Sequence, residues 1–111
     1  GICMDSLEEL KQKIQKFVDE RDWNQYHTPS NLAKSISIEA SELLECFQWN
    51  DTEYDLSQVK EELADVFNYC IQLASVLNLD IRQIILDKME KNTQKYPVDK
   101  CLGKSTKYDK L

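Results

Sequence analysis

The chain has 111 residues, of which 20 are acidic and 14 basic, and its formal net charge at pH 7 is −6. This length predicts one domain with a modest core, which association between subunits would stabilise further. The negative charge disfavours binding to a nucleic acid polymer, and no apolar run reaches the roughly 18 residues of a membrane span. We therefore expect a soluble, cytoplasmic protein that binds neither membrane nor nucleic acid polymer.

Only two glycines and two prolines interrupt the chain, which favours an all-α fold of four helices. Residues 1–5 precede the first helix signal, and we expect them to be disordered or derived from a tag. Ser6 with Glu9 has the form of a capping box, and apolar residues then recur at helical spacing to about Asp22. This pattern predicts the first helix.

The second and third helices are separated by a polar stretch at residues 50–55. Thr28 before Pro29 is a cap followed by proline at the first helical position, and the helical pattern continues to about Trp49. After the polar stretch, an apolar stripe runs from Val59 to Leu77 and predicts the third helix.

A fourth helix is predicted between Asp80 and Pro97. Asp80 with Gln83 can cap its beginning, and Pro97 marks its end. The segment 98–111 is rich in lysine and has no helical stripe, so we expect a flexible tail. Residues 6–97 are therefore the predicted domain.

Two pairs of carboxylates, each spaced by one helical turn, are the main functional signal. Glu39 with Glu42 lies on the second helix and Glu62 with Asp65 on the third, so antiparallel packing would bring all four together. Oxygen ligands favour hard cations such as Mg²⁺ or Mn²⁺. The alternative without a function is that the acids form a solvent-exposed helix face that binds no metal. A di-iron site would need Glu-x-x-His pairs, and the single histidine, His27, lies in a loop.

Aromatic and polar residues suggest a nucleotide site beside these acids. Trp49 follows the first acidic pair by seven residues, two turns along the same helix face, and Trp23 lies near His27. An aromatic slot beside metal-bound phosphates suits a nucleobase, although either tryptophan could instead close an end of the bundle. The fourth helix has a polar face at positions i, i+4 and i+8, formed by Lys88, Asn92 and Tyr96. This face either binds the triphosphate or simply faces solvent.

Together these motifs resemble the MazG-like superfamily of all-α nucleoside triphosphate pyrophosphohydrolases, whose metal motif is ExxE followed by ExxD. The matching residues are Glu39-Ala40-Ser41-Glu42 and Glu62-Leu63-Ala64-Asp65. Further motifs look like the dCTP pyrophosphatase branch: Glu20-Arg21-Asp22-Trp23, His27 with Pro29 and Asn31, Phe47-Gln48-Trp49, and Lys88 through Asn92 to Tyr96-Pro97.

The resemblance implies a four-helix MazG-like bundle that hydrolyses dCTP or a 5-modified dCTP to monophosphate and pyrophosphate, as house-cleaning of the nucleotide pool. All four acids would bind Mg²⁺, with Mn²⁺ as a substitute, and Glu39 or Glu42 would orient or deprotonate the attacking water. Trp23 and Trp49 would flank the base, with His27 near the base pocket. Contacts to phosphate or sugar would come from Tyr69, Lys88, Asn92 and Tyr96. Relatives of this kind form homotetramers, dimers of dimers, whose sites are shared between subunits.

Two alternatives remain open from the sequence. The enzyme could prefer another substrate, such as dUTP, phosphoribosyl-ATP or a damaged nucleotide, which a substrate panel would reveal. The chain could also be a non-catalytic helical interaction module whose acidic face contacts a basic partner. Absence of Mg²⁺-dependent stabilisation by nucleotides would favour this second alternative.

Overall fold

A computed structural model describes residues 6–103, which form helices and turns without a strand. The helices are α1 (Ser6–Glu20), α2 (Pro29–Glu45), α3 (Leu56–Val76), α4 (Ile81–Lys95) and the one-turn α5 (Val98–Cys101). A short 3-10 turn, Asn24–Tyr26, lies between α1 and α2. The all-α prediction with four long helices is confirmed, and none of the described helices is long and apolar enough to cross a membrane.

Both ends of the chain were predicted to lack structure. Residues 1–5 lie outside the described part of the chain, so that prediction stays open. The segment expected to be a flexible tail begins with the helical turn α5, and its residues 104–111 also lie outside the described part.

Side-chain caps fix the beginnings of three helices. The hydroxyl of Thr28 accepts a hydrogen bond from the backbone N–H of Asn31 at 3.1 Å, directly before the proline that opens α2. The carboxylate of Asp80 accepts from the N–H of Gln83 at 2.9 Å at the beginning of α4. Asp55 caps α3 in the same way. Each cap satisfies a backbone donor that has no partner inside its helix.

Helix α2 ends at Glu45, and the predicted continuation to Trp49 is wrong. Beyond Glu45 the N–H groups bond three residues back, as in the 3.0 Å bond from Phe47 to the carbonyl of Leu44, which closes the helix in a tighter turn. The Phe47 ring then packs on Tyr54, with centroids 4.8 Å apart. Apolar periodicity extended the predicted helix because Phe47 and Trp49 continue the helical spacing of α2.

The core lies among α1, α2 and α3. Helices α2 and α3 pack along each other as an antiparallel hairpin, and α1 packs on α3. The buried apolar side chains are Val18, Leu32, Ile71 and Ala74. Asp80 begins a second compact unit, which contains α4 and α5.

Candidate active site

Three of the four predicted acids meet between α2 and α3. One carboxylate oxygen from each of Glu39, Glu42 and Glu62 lies within 4.8 Å of the other two. Glu39 and Glu62 are half-buried, whereas Glu42 is exposed. Asp65 is not one of this group of three, but its charge raises the pKa of Glu39 and of Glu62. Two helices thus present an acidic cluster, by which we mean these four residues.

The carboxylates of the cluster repel one another and lie partly away from water. Burial raises the pKa of Glu39 to about 7, and the neighbouring acids add to this effect, first among them Glu42. Burial also raises the pKa of Glu62, again with Glu42 as the next cause. Both effects arise because the charged form of a carboxyl group is disfavoured away from water and beside like charges.

Two oxygens of the cluster have no hydrogen-bond partner among residues 6–103. Oε2 of Glu39 and Oε2 of Glu62 are shielded from solvent and accept no hydrogen bond. A buried carboxylate oxygen without a donor is costly, and a cation would satisfy it. The ligands are all oxygen atoms, the set that Mg²⁺ and Mn²⁺ prefer, so the cluster fits a divalent cation of this class.

A cavity of about 290 Å³ shares one wall with the acidic cluster. Three residues predicted to bind substrate line it, namely Trp23, His27 and Tyr69. The pKa of Tyr69 is raised by burial and then by the charges of Glu39, Asp65 and Glu42, so the phenol lies near the acids as well. Tyr69 therefore joins the acidic cluster to the cavity.

The end of α1 places Trp23 on the cavity wall. The N–H of Trp23 donates to the carbonyl of Val18, and the N–H of Asp22 donates to that of Asp19, both at 3.1 Å. This pair of bonds is a Schellman motif, which requires a left-handed residue, and Asp22 has φ of +53°. The indole then meets the Phe17 ring edge to face, with centroids 5.8 Å apart.

Hydrogen bonds at both ends hold the segment that carries His27. At one end, Oδ1 of Asp19 accepts from Nε2 of Gln15 at 2.8 Å and from Nδ2 of Asn24 at 2.6 Å. These bonds, that from Asn24 first, lower the pKa of Asp19. At the other end, Nδ2 of Asn31 donates to the backbone oxygen of the residue before His27 at 3.0 Å. The half-buried His27 is thereby fixed against the cavity.

Two amides on α3 line the cavity, and the sequence analysis missed both. Nε2 of Gln72 donates to Oδ1 of Asn68 at 3.0 Å. Gln72 is only 9% exposed, and its Oε1 is shielded from solvent and accepts no hydrogen bond from any described residue. The available signal was a pair of amides at i and i+4 within an otherwise apolar stretch of α3.

The remaining predicted residues lie elsewhere. Trp49 follows α2 instead of lying on it, is 90% exposed, and does not line the cavity described above. Lys88 and Asn92 lie on α4, and Tyr96 caps its end by donating its N–H to the carbonyl of Asn92 at 2.8 Å. These last three residues belong to the second unit, so their predicted contacts to substrate stay predictions.

Comparison with known proteins identifies the family. Residues 34–111 match the sequence profile of the MazG-like family. dCTP pyrophosphatase 1 of Mus musculus is 37% identical over 96% of this chain and 68% of its own length, and that of Homo sapiens is 33% identical over the same shares. The crystal structure of a pyrophosphatase from Archaeoglobus fulgidus has a TM-score of 0.81 and 41% identity, covering 87% of this chain and 97% of that chain.

The chain belongs to the MazG-like family, as its motifs predicted. Its all-helical fold agrees with this membership. The protein is accordingly an enzyme, a nucleoside triphosphate pyrophosphohydrolase.

Proposed function

We propose that this enzyme hydrolyses dCTP, or a 5-modified dCTP, to the nucleoside monophosphate and pyrophosphate, and so cleans the nucleotide pool of the cytoplasm. The observation that carries the proposal is the shared wall formed by Tyr69, which puts a cavity of nucleobase size directly beside an acidic cluster. Support for the cytosine base comes from the relatives, which are named dCTP pyrophosphatase 1.

Mg²⁺ is the proposed cofactor, and Mn²⁺ would be able to replace it. Glu39, Glu42 and Glu62 would hold the cation, with Asp65 adding negative charge or a fourth ligand. The cation supplies charge that offsets the phosphate oxygens and acidifies a water molecule. Its binding would also relieve the repulsion among the acids, because their partnerless oxygens would then have a positive partner.

The substrate would span the cavity and the cluster. The base would lie in the cavity against Trp23 and His27, and the triphosphate would extend past Tyr69 toward the acids. In this arrangement Tyr69 orients the sugar or the first phosphate. We further propose that Lys88, Asn92 and Tyr96 contact phosphate or sugar.

One acid would have a second role in the reaction. Glu39 or Glu42 would orient the attacking water or accept its proton as the water adds to the α-phosphorus. Proximity favours these two acids because both lie on α2, in the group of three.

We also propose a homotetramer, a dimer of dimers, with sites shared between subunits. The first unit leaves large apolar side chains exposed on α2 and α3, among them Ile38, Leu44 and Phe67. A small domain that exposes this much apolar surface gains stability by covering it. Trp49, exposed and outside the cavity of its own chain, would then reach the base site of a neighbouring subunit.

The test is pyrophosphate release from each common ribo- and deoxyribonucleoside triphosphate and from 5-methyl-dCTP, with Mg²⁺ and with EDTA. We expect Mg²⁺-dependent release that is fastest with the deoxycytidine compounds. Faster release from dUTP or a damaged nucleotide would keep the reaction and discard the cytosine base. No release from any nucleotide, with no thermal stabilisation by nucleotide and Mg²⁺, would favour a non-catalytic interaction module.

A further inference from the structure

The partnerless amide oxygen of Gln72 points to a role in choosing the base. We propose that Gln72 accepts a hydrogen bond from the exocyclic amino group of cytosine and thereby disfavours uracil, which has a keto oxygen at that position. This inference rests on the proposed function, because it assumes that the base enters the cavity lined by Trp23 and His27.

Burial without a donor is the first argument. Gln72 is 9% exposed, lines the cavity, and keeps Oε1 away from both solvent and any hydrogen-bond donor of the described chain. A buried polar atom without a partner costs stability, whereas an apolar side chain of similar shape would avoid that cost. A ligand that donates a hydrogen bond inside the cavity would explain why an amide occupies this position.

The bond to Asn68 is the second argument. A free glutamine can turn its amide over and donate to a keto oxygen as easily as it accepts from an amino group. Here Nε2 of Gln72 already donates to Oδ1 of Asn68 at 3.0 Å, one helical turn away. That bond occupies the nitrogen, so the oxygen is the polar atom of the Gln72 amide that still has an unused capacity to accept.

The position of the acceptor in the cavity is the third argument. Tyr69 and Gln72 lie one helical turn apart on α3 and both line the cavity, and the acids lie near enough to Tyr69 for their charges to act on its phenol. Trp23 offers a ring on which a base can stack. A base held there would face oxygen against oxygen if it were uracil, and amino group against oxygen if it were cytosine.

The experiment compares dCTP with dUTP, which differ only at this edge of the base, in Mg²⁺. We expect Gln72→Met to reduce the ratio of their kcat/KM values by about 10- to 100-fold, mainly by slowing dCTP hydrolysis. Asn68→Asp can only accept, so it should preserve the ratio, whereas Asn68→Leu frees the Gln72 amide and should reduce it. Gln72→Met should unfold at the same temperature as wild type or higher, because it removes the partnerless oxygen.

A second readout separates this inference from the proposed function. Equilibrium binding of dCMP and dUMP needs no catalysis, and wild type should prefer dCMP by a factor that Gln72→Met removes. An unchanged ratio in Gln72→Met, or equal losses for both bases, would overturn the role of Gln72 even in an active enzyme. If wild type released no pyrophosphate but preferred dCMP, and Gln72→Met lost that preference, the role of Gln72 would stand and the proposed function would be overturned.

Discussion

The acidic cluster and the cavity share Tyr69 but are built in different ways. The cluster is placed by two long helices, α2 and α3, each of which contributes residues three apart. The cavity depends instead on how α1 ends, on the 3-10 turn that follows, and on hydrogen bonds between side chains. Regular helix geometry thus sets the position of the charges, and irregular structure sets the shape of the cavity.

Each region also contains polar atoms that find no hydrogen-bond partner in the described part of the chain, and these atoms differ in kind between the two regions. In the cluster they are charged oxygens of Glu39 and Glu62, and in the cavity the neutral oxygen of Gln72. Positions where a sequence breaks the usual rules of burial are often functional. Charge in the cluster should govern the rate with every nucleotide, whereas the neutral amide should govern only which nucleotide is chosen.

The largest expected effect is on the rate, through the cluster. Glu39→Gln keeps the shape of the side chain but removes one charge and half of its capacity to bind a cation. Loss of a residue that merely orients a metal ligand already costs about 10- to 100-fold, so loss of a ligand should reduce kcat for all nucleotides by more than about 100-fold. Steady-state pyrophosphate release measures this effect.

A matched control for this substitution lies on the same helix. Glu45→Gln changes an exposed acid outside the group of three, and its turnover should remain close to that of wild type. Near-normal turnover of Glu39→Gln in Mg²⁺ would show that this residue is not a metal ligand.

Glu39→Gln, which should slow the reaction, should stabilise the folded protein when the cation is removed. The pKa of Glu39 is about 7 in the folded chain against an ordinary value of 4.5, so the folded state binds this proton more tightly than the unfolded state. Stability from this group is therefore complete below about pH 4.5 and is lost as the pH rises through about 7. In EDTA at pH 8, Glu39→Gln should therefore raise the free energy of unfolding.

Urea unfolding in EDTA at pH 4 and pH 8 measures this difference, which should disappear at pH 4. Added Mg²⁺ should reverse the order at pH 8, because only wild type keeps the full set of ligands. A variant less stable than wild type in EDTA at pH 8 would mean that the acids do not repel one another as the structure implies.

The sequence predicted the regular region better than the irregular one. Thr28 and Asp80 cap α2 and α4 as expected, and the spacing of the acids led to the observed group of three, because local geometry decides both. The end of α2 was missed because the chain closes in a tighter turn after Glu45 and Phe47 packs on Tyr54 of the following loop, which helical periodicity does not reveal. Gln72 was missed because helical patterns assign polar residues to the surface, whereas this one is buried.

The two tryptophans test which aromatic side chains contact the nucleotide. Trp23 lines the cavity of its own chain, so Trp23→Ala should weaken nucleotide binding by about 1–3 kcal/mol through lost stacking. Trp49→Ala should cause a similar loss only if the exposed ring reaches the site of a neighbouring subunit. Titration calorimetry of both variants with a non-hydrolysable dCTP analogue and Mg²⁺ measures these affinities.

Mixed oligomers then decide which chain supplies each ring. Co-expression of Glu39→Gln with Trp49→Ala subunits should restore activity, because some sites would combine intact acids with an intact Trp49 from the other subunit. Co-expression of Glu39→Gln with Trp23→Ala is the matched control and should restore none, since Trp23 and the acids belong to one chain. Equal restoration in both mixtures would contradict this assignment.

The smallest effect is expected from Asp19, which supports the cavity without lining it. Asp19→Ala removes the hydrogen bond from Asn24 that ties the 3-10 turn to α1 and leaves the bond from Nε2 of Gln15 to Oδ1 of Asn24 in place, so Trp23 and His27 should be held less firmly. We expect KM for dCTP to rise by about two- to tenfold at unchanged kcat.

A pH titration and a neighbouring control sharpen this last prediction. Because its hydrogen bonds lower the pKa of Asp19, their stabilising contribution is present above the ordinary value of 3.8 and is lost as the pH falls through the folded-state pKa. Wild type and Asp19→Ala should therefore differ in stability at pH 7 and converge in strong acid. Glu20→Ala, which removes only exposed ion pairs to Lys16 and Arg21, should leave KM unchanged. A fall in kcat for Asp19→Ala would show that the 3-10 turn positions the acids as well. The cavity and the acidic cluster would then not be independent of each other.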